Sequence, residues 1–334
     1  MVVQTPPAPL PPAAFQDHAR QIVDEVNKVI VGQRELIEEI LIAFLAGGHV
    51  LLEGVPGLGK TRMVHAFAQA LDLDFARVQF TPDLMPADIT GTAILKETPG
   101  GGREFAFQRG PLFANIVLAD EINRATPKTQ EALLEAMQEG TVSVLTDVHR
   151  LPHPFAVLAT QNPLEMEGTY PLPEAQLDRF FFKCLLAFPE SEELQEILRR
   201  TVGAQDAAAD QVVDRATVET MQRTVREVVA AGFVLDYASR LVLAAHPDNP
   251  RAPEAVRNNV RYGSSPRGAQ ALVLGGKVAA LLDGRANVDF VDVQRIAPAA
   301  LRHRVQISYA GQAEGVTPDA VVEEIVASVS PEGV

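Results

Sequence analysis

A single cysteine stands in 334 residues, so an internal disulfide is excluded. The apolar neighbours of Cys184 predict a buried thiol. No run of about 18 uninterrupted apolar residues occurs, and no membrane span is expected. The N-terminus lacks a basic stretch leading into an apolar one, so a secretory signal is not read there and a cytoplasmic location is the expectation. Basic residues are in deficit: 29 Lys and Arg against 43 Asp and Glu give a formal charge of −14. Such a surface repels phosphate backbones, which argues against nucleic acid as a general partner and leaves only a local basic channel open. His149 and His153 have no cysteine or carboxylate cluster beside them to suggest a metal site. His49 and His65 read as packing residues. Repeats with a period of 20–50 residues are absent.

What is present is a globular composition, 47% hydrophobic and 22% charged, long enough for one large domain or two ordinary ones. Its organising stretch is Gly54-Val55-Pro56-Gly57-Leu58-Gly59-Lys60-Thr61, which fits the phosphate loop G-x-x-x-x-G-K-[ST]. Before it, His49 to Glu53 reads as a buried strand. After it, Met63, Val64, Phe67, Ala68 and Leu71 repeat with helical spacing. The glycines let backbone N–H groups turn toward phosphate oxygens, and the helix N-terminus adds partial positive charge. Lys60 is expected on the β- and γ-phosphates of ATP, and the Thr61 hydroxyl on Mg²⁺. The binding set is thus Gly54, Pro56, Gly57, Leu58, Gly59, Lys60, Thr61 and the adjoining Arg62.

Strands and helices alternate around this loop. Residues 1–14 are rich in Pro and Ala and read as a disordered tail. Helices are expected from Phe15 to Ile30 and along Leu36–Leu45, the second stopped by Gly47-Gly48. Further strands are read at Phe75–Phe80, Ile116–Ala119, Phe155–Thr160 and 180–186. Hairpins are read at 92–107, around a glycine loop at 99–102, and at 142–151. Thr126 with Pro127 opens a helix that Gly140 closes. After Pro189 only helices are expected, at 190–202, 217–231, 237–246, 265–283, 289–303 and 318–328. The fold class is therefore α/β, a parallel five-stranded sheet with helices on both faces, over 15–189, followed by an all-helical part, 190–334.

Chemistry collects at strand ends. Asp120 and Glu121 close a buried strand and point to opposite sides of it. Asp120 is assigned to Mg²⁺ and Glu121 to general-base work on the attacking water. Asn162 ends a further strand, where an amide can orient water or touch the γ-phosphate. Arg179 precedes the last strand. Arg267 sits in a helix first turn, a position unfavourable for a cation unless it faces an anion such as the nucleotide phosphates.

The order Val31-Gly32-Gln33, phosphate loop, Asp120-Glu121-Ile122-Asn123-Arg124, Ala159-to-Pro163, Gln176-to-Phe180 and Ser265-Pro266-Arg267 resembles AAA+ ATPases of the MoxR family. The segment Gly110-to-Asn115 carries the likeness further. The resemblance implies that Val31 and Gly32 pack on adenine and that Asn162 is sensor 1. It implies that Arg179 is the arginine finger acting on a neighbouring subunit's nucleotide, with Arg124 the other candidate. It implies that Arg267 is sensor 2, closing with the lid onto the phosphates. The two hairpins take the places of the helix-2 insert and the pre-sensor-1 hairpin. The family further implies a hexameric ring and a chaperone-like role with VWA-domain proteins in metalloenzyme or complex maturation. A magnesium-chelatase-like motor subunit, a nucleic-acid motor and a nucleotide-gated scaffold with little turnover are the competing readings.

Overall fold

The computed structural model describes residues 8–97, 102–162, 168–202 and 207–332. Helices α1 (Pro12–Val29) and α2 (Arg34–Leu45) lead to β1 (Val50–Glu53) and α3 (Lys60–Ala70). Strand β2 (Phe75–Gln79), the short α4 (Pro86–Thr90) and the hairpin β3 (Gly91–Glu97) and β4 (Arg103–Arg109) follow. Then come β5 (Ile116–Asp120), α5 (Pro127–Glu139) and a second hairpin, β6 (Thr141–Val144) and β7 (Asp147–Arg150). Strand β8 (Ala156–Gln161), α6 (Glu174–Leu177) and β9 (Phe182–Leu185) complete this part.

The five long-range strands form one parallel sheet in the order β2-β5-β8-β1-β9. Its core is divided by the two-residue period of an extended chain. Leu51, Val117, Ala119, Val157 and Ala159 face Leu133, Leu134 and Met137 of α5. Val50, Leu52, Ile116, Leu118, Leu158, Phe182 and Cys184 face α1, α2, α3 and the helices beyond the sheet. Burial on both faces is why these strands read as unbroken apolar runs in the sequence. Cys184 is buried and unpaired, as expected.

Beyond the sheet run α7 (Ser191–Thr201), α8 (Arg215–Glu227), α9 (Gly232–Ala244), α10 (Glu254–Asn259) and α11 (Pro266–Leu282). Helices α12 (Phe290–Leu301), α13 (Tyr309–Ala313) and α14 (Pro318–Ser328) end the chain. Ser265 and Thr317 cap α11 and α14 with their hydroxyls, each followed by a first-turn proline. No helix among the described residues is long and apolar enough to cross a membrane.

Four readings need correction. The first helix begins at Pro12, because proline's fixed φ and missing N–H suit a helix start; of the rest of the expected tail, 8–11 precede it without helix or strand and 1–7 lie outside the described residues. The helix expected to reach 231 stops at Glu227: Val229 pairs with Asn287, and two adjacent β-branched residues take the extended form instead. The next helix accordingly starts early, at Gly232. Helices are not alone after Pro189, since β10 (Val260–Tyr262) and β11 (Gln306–Ile307) pair antiparallel. Both hairpins form, while 99–101 of the expected glycine loop lie outside the described residues.

His303 shows how the helical part is fastened to the sheet. It is buried, and its Nε2 donates to the Phe180 carbonyl at 3.0 Å. Burial, then the adjacent Arg304 charge, push its pKa well below the usual value. The unfolded chain therefore takes up a proton below pH ~6.5 that the folded chain refuses, so stability falls with pH there, by about 1.4 kcal/mol per unit. Denaturant midpoints between pH 7.5 and 5 will show this slope, to which the buried His49, its pKa lowered to about 4, adds in the same direction, and His303→Gln will reduce it.

Candidate functional site

The phosphate loop leaves the C-terminal end of β1 and enters α3 at Lys60. Gly57 and Gly59 have φ of +85° and +78°, a region that disfavours side chains and turns consecutive amides one way. The Lys60 Nζ donates to the Gly54 carbonyl at 2.6 Å, folded back across the loop it is expected to serve. Burial lowers the Lys60 pKa, opposed by the charges of Asp120, Glu121 and Glu53.

Asp120 and Asn162 are both buried, at the same edge of the sheet as the loop. Strand β8, which Asn162 follows, lies between β1 and β5, so it is next to the phosphate-loop strand as expected. The Thr160 hydroxyl donates to Asp120 Oδ1 at 2.7 Å and accepts from the Glu121 N–H at 2.8 Å. Arg77 Nη2 donates to Asp120 Oδ2 at 2.7 Å and to Gln79 Oε1 at 2.7 Å. Gln79 Nε2 in turn donates to Glu121 Oε2 at 2.8 Å, and Arg124 Nη1 to the same oxygen at 2.9 Å. The two acidic residues are thus joined through one relay, Asp120–Arg77–Gln79–Glu121. Glu121 itself has φ +57°, a left-handed conformation that bends the chain off the strand.

Sequence pattern alone does not single out Arg77, Gln79 or Thr160. The signal was there in part: Arg77 and Gln79 share one face of β2, and Gln79 registers with Asp120. Nothing in the sequence fixes that register.

Val31, Leu58 and Arg62 line a cavity of about 330 Å³ beside Gly57 and Gly59, with Ile30, Phe188, Leu194 and Ile197 supplying apolar walls. It is shaped as a base pocket next to a phosphate site. Arg62 also donates to the Ala207 carbonyl at 3.1 Å. Gly32 has φ +73°, and a Cβ there would lie 2.4 Å from the Glu193 carboxylate of α7. Gly32→Ala is expected to strain this left-handed turn and push the Glu193 carboxylate aside, weakening nucleotide binding about 10-fold, readable by titration with a fluorescent ATP analogue.

Arg179 and Arg267 are elsewhere. Both line a cavity with Gly48, His49 and Phe181, at the N-terminal end of β1. Phe181 N donates to the His49 carbonyl, which fixes that end as the start of β9 as well. Four residues of β1 separate the two edges by roughly 13 Å. Arg267 lies 3.6 Å from Asp178, beside Arg179, at the end of β1 opposite its own chain's phosphate loop. The Ser265 cap of α11 is tied to Asp178 by its hydroxyl at 2.8 Å, which holds the start of that helix there. Arg124 is committed to Glu121 of its own chain.

The model of the ATPase family associated with various cellular activities matches residues 49–182, and an AAA lid model matches 252–325. The chain is 41% identical to Chaperone MoxR1 of Mycobacterium tuberculosis over 98% of its length and 86% of the relative's. It is 30% identical to Protein MoxR of Methylorubrum extorquens, over 92% and 93% of the two lengths. A crystal structure of a candidate ATPase from Cytophaga hutchinsonii superposes with a TM-score of 0.88 at 39% identity, covering 96% of each chain. Core and lid matched together, with identity across nearly the whole length, mean that the chain belongs to the MoxR family of AAA+ ATPases.

Proposed function

We propose that this ATPase works as a homo-oligomeric ring, a hexamer by family likeness, that remodels a protein partner in the cytoplasm. The single observation that carries the reading is the division of the site between two edges of the sheet. Lys60, Asp120, Glu121 and Asn162 share one edge, and Arg179 and Arg267 share the other. Within one chain the length of β1, roughly 13 Å, separates the two sets. A head-to-tail neighbour can bring them to one triphosphate, and both arginines then act across the boundary.

In this reading Lys60 leaves the Gly54 carbonyl for the phosphates, and Asn162 orients the γ-phosphate or its water. Glu121 takes the water's proton, once Gln79 and Arg124 yield its carboxylate. Thr61 and Asp120 offer a hydroxyl and a carboxylate, the oxygen donors that suit Mg²⁺; when bound, that ion neutralises charge on the phosphates. Arg179 of the neighbour stabilises charge on the transferring phosphoryl group. VWA-domain proteins and their clients fit as partners by family likeness, with the hairpins β3–β4 and β6–β7 as the moving surfaces. These hairpins expose Phe105, Leu145 and Val148.

Steady-state ATPase measured across protein concentration tests the shared site. Specific activity is expected to rise with concentration to a plateau. Concentration-independent turnover would remove the shared interface, and no turnover at any concentration would leave a nucleotide-gated scaffold.

A further inference from the structure

We propose that Gln130 and Glu131, consecutive residues of α5, are positioning residues that tie the turn carrying the catalytic base to the arginine offered to the neighbour. The proposal rests on the reading of Arg179 as acting across a subunit boundary.

Gln130 is buried in the first turn of α5, where an apolar side chain would cost less. Its Nε2 donates to the Ile122 carbonyl at 3.1 Å and to the Tyr170 carbonyl at 3.0 Å. Ile122 directly follows Glu121. Tyr170 N donates back to the Asn123 carbonyl at 2.6 Å. The segment after β8 is thereby latched onto the turn of the base.

Glu131 holds the same segment further on. Its Oε2 accepts from Gln176 Nε2 at 3.2 Å, and its Oε1 lies 3.6 Å from Arg179 Nη2. Between these two, Asp178 accepts from Ser265 and from Arg304 at 2.9 Å. Residues 168–179 thus form a strap fastened to the base turn, to α5 and to the cap of α11.

Adjacent helical residues are about 1.5 Å apart along a rigid axis and cannot move independently. A shift of the Glu121 turn, when a γ-phosphate arrives or leaves, reaches Tyr170 through Gln130 and Arg179 through Glu131. Two buried acceptors, Asn123 Oδ1 on the base turn and Gln176 Oε1 in the strap, have no donor among the described residues. A second arrangement of the same strap is the physical element such coupling requires.

The test mixes full-length active subunits with Glu121→Gln subunits at increasing ratio. Wild-type activity is expected to fall faster than the fraction of active subunits. With Glu131→Gln as the active subunit, the fall is expected to become proportional, and the Hill coefficient for ATP to drop to about 1. Hydrogen exchange supplies a readout independent of turnover. ATP binding to Glu121→Gln is expected to slow exchange across 168–181, and the added Gln130→Ala to abolish that slowing. A proportional fall in the wild type, an unchanged steep fall in Glu131→Gln, or slowing retained with Gln130→Ala each overturns the proposal. Wild-type turnover by Arg179→Ala would instead remove the role of Arg179 itself, and the coupling would fall with it.

Discussion

Arg179→Ala lowers kcat by roughly 10³-fold or more, with nucleotide affinity kept within a few-fold. The expectation follows from position. Arg179 lies at the start of β9, an entire strand length from its own phosphate loop, so its loss leaves the loop amides and the base pocket of that chain intact. The ion pair with Glu131 is long and its acid largely exposed, so the substitution removes little stability. A guanidinium presented to the transferring phosphoryl group acts mainly on charge that develops in the transition state, which is why kcat and not binding responds. Mixing supplies the decisive comparison. Arg179→Ala subunits keep Glu121, and Glu121→Gln subunits keep Arg179. Each preparation is inactive alone, and the mixture regains activity at boundaries that combine one intact group from each. If it regains none while mixed oligomers form, the two groups do not meet across a boundary. Arg267→Ala in the same assay is the companion measurement, since Arg267 shares the cavity with Arg179.

Glu121→Gln lowers kcat about 10²- to 10⁴-fold while ATP binding persists. The substitution keeps the size of the side chain and removes its charge, with the Arg124 ion pair, and its capacity to take a proton. Its surroundings are built for a carboxylate: Gln79 and Arg124 both donate to one of its oxygens. The left-handed turn at Glu121 is held by its N–H on Thr160, independently of the side chain, so the backbone survives the change. Single-turnover hydrolysis beside equilibrium binding of ATP checks both halves. Hydrolysis at the wild-type rate would move the base assignment to another residue.

The contacts of Gln79 illustrate what a linear chain withholds. Its polarity is plain in the sequence, but its neighbour Asp120 is 41 residues away, and only the pairing of β2 with β5 brings the two together. Thr160 is similar: a threonine at the end of an apolar strand reads as a strand former until β8 is seen beside β5. The small strands β10 and β11 escaped detection because two or three residues carry no period. The break at Val228-Val229 escaped because its cause, the bridge to Asn287, is non-local.

The phosphate loop, the acidic strand end, the five strands and most helices were legible because local constraints dictate them. A glycine turn, a two-residue alternation and a capping hydroxyl act within a few residues of chain. Which edge of the sheet each charged group occupies was not legible, since it depends on strand order and direction. The tertiary structure alone decided that Arg267 stands beside Arg179 and away from its own phosphate loop. The cause is the fastening of the α11 cap to Asp178, a hydrogen bond between residues 87 apart.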